Sequence, residues 1–457
     1  MVGQDGARRK RCSASSLHVD TRAPTPHPTA VTFLSDFQFE RARRAAKHID
    51  AGARALPLLS NLAWDADIRE SFLRHDRTPD PDYPDVETAK ARSQIADARS
   101  LIDGDHVVMQ WLGRLCDTVD QTASLLDTRG TPAFFECSKA LFGDPQKLMI
   151  DRQTRTIDFA NYLDETLLNL DFSHLVMEGE KVHLTDREFA DAMRVKLDRH
   201  FGDDAPRVIL SPSLSAKATA SASRIRVRKG ETFTERDVLQ LLQHEALIHT
   251  ATALNGQNQK AFRILGRAHG GTTMIQEGLA VFAEIITATM DPRRFKRLSA
   301  RVIAIDMAAN GADFREVFQY FVERTDDRRS SYESARRIFR GGVISGGAPF
   351  TKDGVYLNGL LRVHNFMRTA VGLDRADLIR ILFMGKMDLE DVPAIAQLSA
   401  RGVLVAPQFL PPWVKDMRFL VSYMSYSGFL NRVKLPGFQD YYREQLSEVP
   451  TVWDAVE

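Results

Sequence analysis

His244-Glu245-Ala246-Leu247-Ile248-His249 and, further along, Gln276-Glu277-Gly278-Leu279-Ala280 are the two stretches that decide this chain. In the first, two imidazoles and a carboxylate sit between the apolar runs Leu239–Leu242 and Ala246–Ile248. Charged groups are seldom set in such surroundings without a partner or a task. In the second, a carboxylate heads another apolar helix. Two His and one Glu make up the three protein ligands of a catalytic zinc site, which keeps a fourth position for water. His244, His249 and Glu277 are therefore the expected ligands, with Glu245 beside them as general base. The donor types also admit nickel, manganese or iron, with zinc the first choice.

The spacing poses a problem that makes the reading testable. In a His-Glu-x-x-His motif the imidazoles are four residues apart, roughly 40° around an α-helix. Here they are five apart, about 140° on a regular helix. A π turn takes in one extra residue, and such turns gather at functional sites. The spacing thus predicts a helix widened within Glu245–Ile248. A regular α-helix through His249 would exclude a two-His site.

Working outward, Thr234-Glu235-Arg236-Asp237 is a candidate capping box opening this helix, and Asn255-Gly256 a candidate stop. A second helix is expected over Thr272–Met290, with Ile275, Leu279, Phe282 and Ile286 holding Glu277 against a core. Upstream, Thr185-Asp186-Arg187-Glu188 caps a helix running through Leu197, and Val208-Ile209-Leu210 reads as a strand. Ser223–Arg228 alternates with period two, as a half-exposed strand does. The two strands are expected to pair. The second could form an edge above the metal that holds an extended peptide by strand addition.

The first part of the chain is helical in pattern. Leu56, Leu58, Leu59 and Leu62 suggest one apolar face, Ile95, Ala98, Leu101 and Ile102 another, and Val107–Leu126 a third. A loop with Pro79, Pro81 and Pro84 separates the first two. The expected division is a disordered tail over 1–35, a helical region over 36–160, a catalytic region over 161–445 and a tail over 446–457. The fold class is mainly helical α+β, a zincin-like core under an N-terminal helical layer.

Composition supports a soluble enzyme: 44% hydrophobic and 26% charged residues, with a formal net charge of +1. No global field favours nucleic acid or an anionic membrane, so neither is an expected partner. The three cysteines, Cys12, Cys116 and Cys137, are odd in number and widely spaced. They imply no disulfide framework and favour a reducing, cytoplasmic setting. No apolar stretch is long enough to span a bilayer. Arg8-Arg9-Lys10-Arg11 precedes no apolar run, which argues against a secretory signal.

The two motifs together resemble the QEGLA-motif family. Its bacterial members are often labelled flavohemoglobin-expression modulators, and its animal members include the microtubule-associated tyrosine carboxypeptidases, which remove the C-terminal tyrosine of α-tubulin. The resemblance extends to Asn255-Gly256, to Arg337-x-x-Arg340-Gly341, and to Phe350-Thr351-Lys352-Asp353-x-x-Tyr356-Leu357-x-Gly359. It implies the same assignment: His244, His249 and Glu277 on zinc, Glu245 as general base. One departure is Leu247-Ile248, where relatives often carry Gly-Thr. It is expected to alter helix packing rather than ligation, and it leaves the tyrosine specificity open.

Carboxypeptidase action, the first expectation, requires a group for the substrate's free α-carboxylate. Arg binds a carboxylate through its bidentate fork and Lys as a point charge. Lys352, Arg340 and Arg337 are the candidates, with Arg336 behind them, and Tyr356 is placed to donate to the tetrahedral oxyanion. His269 reads as a loop histidine and His364 as a core one. The expected partner is a peptide or protein C-terminus, and removal of its last residue is the first choice, an aromatic residue being one option for it. Two alternatives remain open: a zinc endopeptidase or amidase, and a non-catalytic zinc-binding regulator of expression.

Overall fold

A computed structural model describes residues 33–168, 170, 183–212, 214, 216–325 and 327–447. The expected tails fall almost wholly outside these residues. The first helix, Asp36–Arg54, starts where Ser35 and Gln38 form a reciprocal capping box. Helices Ala89–Leu101 and Val107–Asp127 follow as expected, burying Ala91, Ile95 and Ala98 on one and Val108 through Leu126 on the other. Leu56–Leu62 is different: it forms turns, not a helix, with Leu56 and Leu62 buried and Leu59 exposed. Pro57 explains this, since it lacks the N–H that a continuing helix needs and disfavours helical geometry at Leu56.

Among the described residues the chain is mainly helical with one small sheet. Strands β1 (Arg207–Ser211), β2 (Ala218–Ala220) and β3 (Arg224–Arg228) lie in the order β1-β3-β2. β1 runs parallel to β3, pairing Ile209 with Arg226, and β2 runs antiparallel to it, pairing Thr219 with Arg226. The alternation in β3 is as read: Ile225 and Val227 are buried, Arg224 and Arg226 exposed. Its role as an edge is corrected. β3 is the central strand, with both of its ladders taken, so it cannot accept an added peptide strand. The edges are β1 and β2, and β2 was not foreseen because three residues give too short a pattern.

Three apolar clusters hold these layers. The largest joins the N-terminal helices to helices Gly270–Ile286 and Val355–Gly372. A second lies between the sheet and helix Asp186–Phe201, which opens on the expected Thr185–Glu188 capping box. A third is aromatic and includes Trp64, Phe72, Phe314, Tyr332 and Phe339.

The helix with the first motif runs between two of these clusters. Leu247 packs into the sheet cluster and Ile248 into the large one. The departure at Leu247-Ile248 is thus a matter of core packing.

Gly278 matters for a different reason. A Cβ there would lie 2.1 Å from the carbonyl carbon of Gly359. Helices Gly270–Ile286 and Val355–Gly372 therefore cross backbone against backbone, which brings the segment around Lys352 and Tyr356 up to Glu277. Among the described residues, no helix is long and apolar enough to cross a membrane. Cys116 is buried and its thiol is pushed up to about 11 by burial, as an inert core thiol should be.

Candidate metal centre

Thr234 and Asp237 form the expected capping box, and the helix starts at Glu235. It is α-helical to Leu241, π-helical over Leu242–Thr250 and α-helical again over Ala251–Gln257. The widening predicted from the five-residue spacing is present and longer than required. It turns both imidazoles to one side, with ring centroids 4.9 Å apart and planes at 86°.

Asn255-Gly256 does more than mark the helix end. Buried Asn255 donates to the carbonyls of Phe383 and Phe409 and accepts from the amides of Gln408 and Phe409. A Cβ on Gly256 would fall 2.1 Å from the carbonyl oxygen of Leu265.

Glu277 comes from helix Gly270–Ile286 and meets the two histidines. Its Oε2 lies 3.3 Å from His244 Nε2 and 3.5 Å from His249 Nε2. One ligand atom from each of the three residues falls within 4.8 Å of the others. That oxygen is buried and has no hydrogen-bond partner. A buried orphan acceptor is costly, and a cation held between the three groups would satisfy it. The donor set and its spacing therefore fit a metal ion. Burial opposes the charge on Glu277, yet the two histidines hold its carboxyl well below the ordinary range.

His244 is aligned from behind. Its Nδ1 lies 2.7 Å from Glu284 Oε1, and Arg294 grips Glu284 through both carboxylate oxygens. Burial would raise the pKa of Glu284, but Arg294 and His244 lower it on balance, so it stays ionised. Burial opposes a charge on His244, yet Glu277 and Glu284 together raise its pKa to about 9, so Nδ1 donates to Glu284 and Nε2 is the nitrogen that faces Glu277. Such a carboxylate behind a histidine ligand sets ring orientation and basicity. Glu284 escaped the sequence reading, although a signal existed: it falls two helical turns after Glu277 in an apolar run. We expect Glu284→Gln to weaken zinc binding about 10–100-fold, read by competition with a chromogenic chelator.

Glu245 is buried, with 8% of its surface exposed, and its side chain makes no hydrogen bond to another described residue. Burial raises its pKa, against the lowering effect of His244 and His249. A carboxylate in that state is tuned toward proton uptake nearer neutral pH.

Lys352 is brought to the site, with Nζ 3.7 Å from Glu277 Oε1. Tyr356 lies alongside His244, ring centroids 6.5 Å apart at 26°. Burial, then the charge of Glu277, raises the pKa of the phenol, which keeps it protonated as a donor.

The arginines separate. Arg337 places Nε and one terminal nitrogen 2.6 and 2.7 Å from the oxygens of Asp353, so its fork is already engaged. Arg340 is buried over the Phe350 ring, and its Nε has no partner. Burial lowers its pKa to about 9. Arg336 pairs with Glu333 on its own helix. His269 lies in the wall of a separate cavity of about 600 Å³ that contains none of the three candidate ligand residues. Burial, then the nearby charge of Arg267, lowers its pKa to about 4. His364 is half-buried, 3.5 Å from Ser427 Oγ.

Asp353 gives a pH-dependent prediction. Burial would raise its pKa, but Arg337 and Arg301 hold it well below the usual carboxylate range. A depressed folded-state value adds stability above the unfolded pKa, and that stability is lost as pH falls through the folded value. Asp353→Asn should cost about 3–5 kcal/mol at neutral pH, because Arg337 is left buried and unpaired. It should also flatten the loss of stability below about pH 4. Urea unfolding across that range tests both, and equal stability at pH 7 would refute the pairing.

A π-widened helix carrying two histidines, a carboxylate meeting them from a second helix, and a small sheet alongside define a candidate metal centre of the hydrolase kind. The chain matches the family described as microtubule-associated tyrosine carboxypeptidase over residues 70–432, and it belongs to that family. Comparison with curated proteins gave no match.

Proposed function

We propose that this chain is a zinc-dependent carboxypeptidase that removes the last residue of a peptide or protein, with tyrosine or another aromatic residue preferred. One observation carries the reading: His244, His249 and Glu277 converge within 4.8 Å beside a buried Glu245. The architecture suits a zincin-like core, in which one helix supplies both histidines and a small sheet lies alongside. The family's description supports the carboxypeptidase reaction and the preference for tyrosine.

His244, His249 and Glu277 would hold zinc, with Glu284 fixing the His244 ring. When bound, zinc polarises the scissile carbonyl and lowers the pKa of a coordinated water to roughly 7. Glu245 accepts the proton of the attacking water and passes it to the leaving amine. Tyr356, protonated and stacked on His244, donates to the carbonyl oxygen as it gains charge. Lys352, beside Glu277 at 3.7 Å, and Arg340 are the cations assigned to the substrate's α-carboxylate, since Arg337 is committed to Asp353.

Three ligands among the described residues leave a position open, which favours catalysis over a closed structural site. The test is a library of peptides with free and amidated C-termini, read by mass spectrometry with Glu245→Gln as control. Loss of single residues from free C-termini, by the wild type alone, is the expected result. Internal cleavage, or equal action on amidated ends, would replace the carboxypeptidase with an endopeptidase or amidase. Zinc uptake without cleavage of any peptide would favour the regulator.

A further inference from the structure

His244 is held through its ring, but no described side chain plays that part for His249. What holds His249 acts on its backbone. Lys386 is buried in the turn-rich segment after Ile381. Its Nζ donates to the carbonyl oxygen of His249 at 3.1 Å, to Gln276 Oε1 at 2.8 Å and to Thr252 Oγ1 at 3.4 Å. An ammonium has three donors, and here three acceptors meet them.

Those acceptors lie on the two helices that carry the ligands. His249 is a ligand residue near the π-to-α junction, where the backbone ladder changes partners. Gln276 directly precedes Glu277. Lys386 is itself anchored, since its amide donates to the carbonyl of Leu265 at 2.6 Å. Asn255 and Gln259 bind the neighbouring carbonyls of Phe383 and Met384.

We infer that Lys386 is a positioning residue that locks the backbone of His249 to the side chain of Gln276, and so sets the separation of the two ligand-bearing helices. This inference rests on the proposed metal site. A saturated ammonium has no donor left for substrate, which distinguishes Lys386 from Lys352. Thr252 Oγ1 also donates directly to Gln276 Oε1 at 2.9 Å, but a hydroxyl has one proton to give. Among the described residues only Lys386 ties the His249 carbonyl itself to Gln276 at the same time, so without it the three ligand atoms no longer arrive pre-set for one ion.

The test uses the full chain, stripped of metal, as wild type, Lys386→Met, Gln276→Met and the double variant. Zinc affinity is measured by chelator competition, the visible spectrum of the cobalt-loaded protein reads ligand geometry, and thermal melting of the metal-free protein reads the fold. Both single variants should lose about tenfold or more in zinc affinity and show a displaced cobalt spectrum. The double variant should lose less than the sum of the two single losses, because both break the Lys386–Gln276 link, while Gln276→Met also removes the acceptor of Thr252 Oγ1.

A variant that melts earlier yet keeps wild-type zinc affinity and cobalt spectrum would show a merely structural lysine and overturn the inference. If Lys386→Met does not fold, Gln276→Met is judged by the same two readouts. A wild type that takes up neither metal overturns the metal site itself. Normal wild-type uptake with undisturbed variants overturns only the role of Lys386.

Discussion

Glu245→Gln should lower kcat/KM by about 10²–10⁴-fold while zinc content stays at the wild-type level. Glu245 is 8% exposed and its side chain has no described hydrogen-bond partner, so the amide replaces it without breaking a contact. It lies next to His244 but outside the cluster of three possible ligands, so metal uptake should not need it. What the amide cannot do is accept a proton. The loss should therefore fall on kcat more than on KM, because the group acts on the reacting water and not on substrate binding. Paired measurements of zinc stoichiometry and steady-state kinetics on a peptide with a free C-terminus check this. Full activity with zinc bound would remove Glu245 from the mechanism, and loss of zinc would make it a ligand.

Gly278→Ala should destabilise the protein by about 3 kcal/mol or more, at the top of the range for overpacking. The added methyl meets the backbone of Gly359, 2.1 Å from its carbonyl carbon and 2.4 Å from its oxygen. A side chain could turn away; backbone in two packed helices cannot. Alanine's better helix propensity returns only about 1 kcal/mol, so the clash wins. The helices must part, which also draws Lys352 and Tyr356 from Glu277. Against a total stability of about 5–15 kcal/mol, this is a large fraction. Urea unfolding of the metal-free variant gives the number, and a stability equal to wild type would show that the helices do not cross here. In the QEGLA string, then, the glycine serves the helix crossing and the glutamate belongs to the cluster of possible metal ligands.

Much of the centre was legible in the chain because it rests on short-range geometry. The capping boxes at Thr185 and Thr234 need only groups three residues apart, and both form. The alternation in Ser223–Arg228 records which side chains face the core, and β3 follows it. Most informative is the five-residue gap between His244 and His249. It is incompatible with one ion on a regular α-helix, so the π-helical stretch Leu242–Thr250 could be required before it was seen.

Other features have no local footprint. Glu284 reaches His244 forty positions back along the chain, Lys386 bridges His249 and Gln276 from beyond both, and Asp353 takes the fork of Arg337. β3 proved central, not an edge, because pairing depends on which other strands arrive. Side-chain periodicity and capping reflect a residue's own neighbours, and these the sequence by itself determined: the donor types, the helix that carries two of them and its widening. Which distant groups share a charge, an orphan acceptor or a backbone crossing depends on how the helices pack. Only the tertiary structure decided that Arg337 is engaged, that Lys352 stands beside Glu277, and that Gly278 meets Gly359.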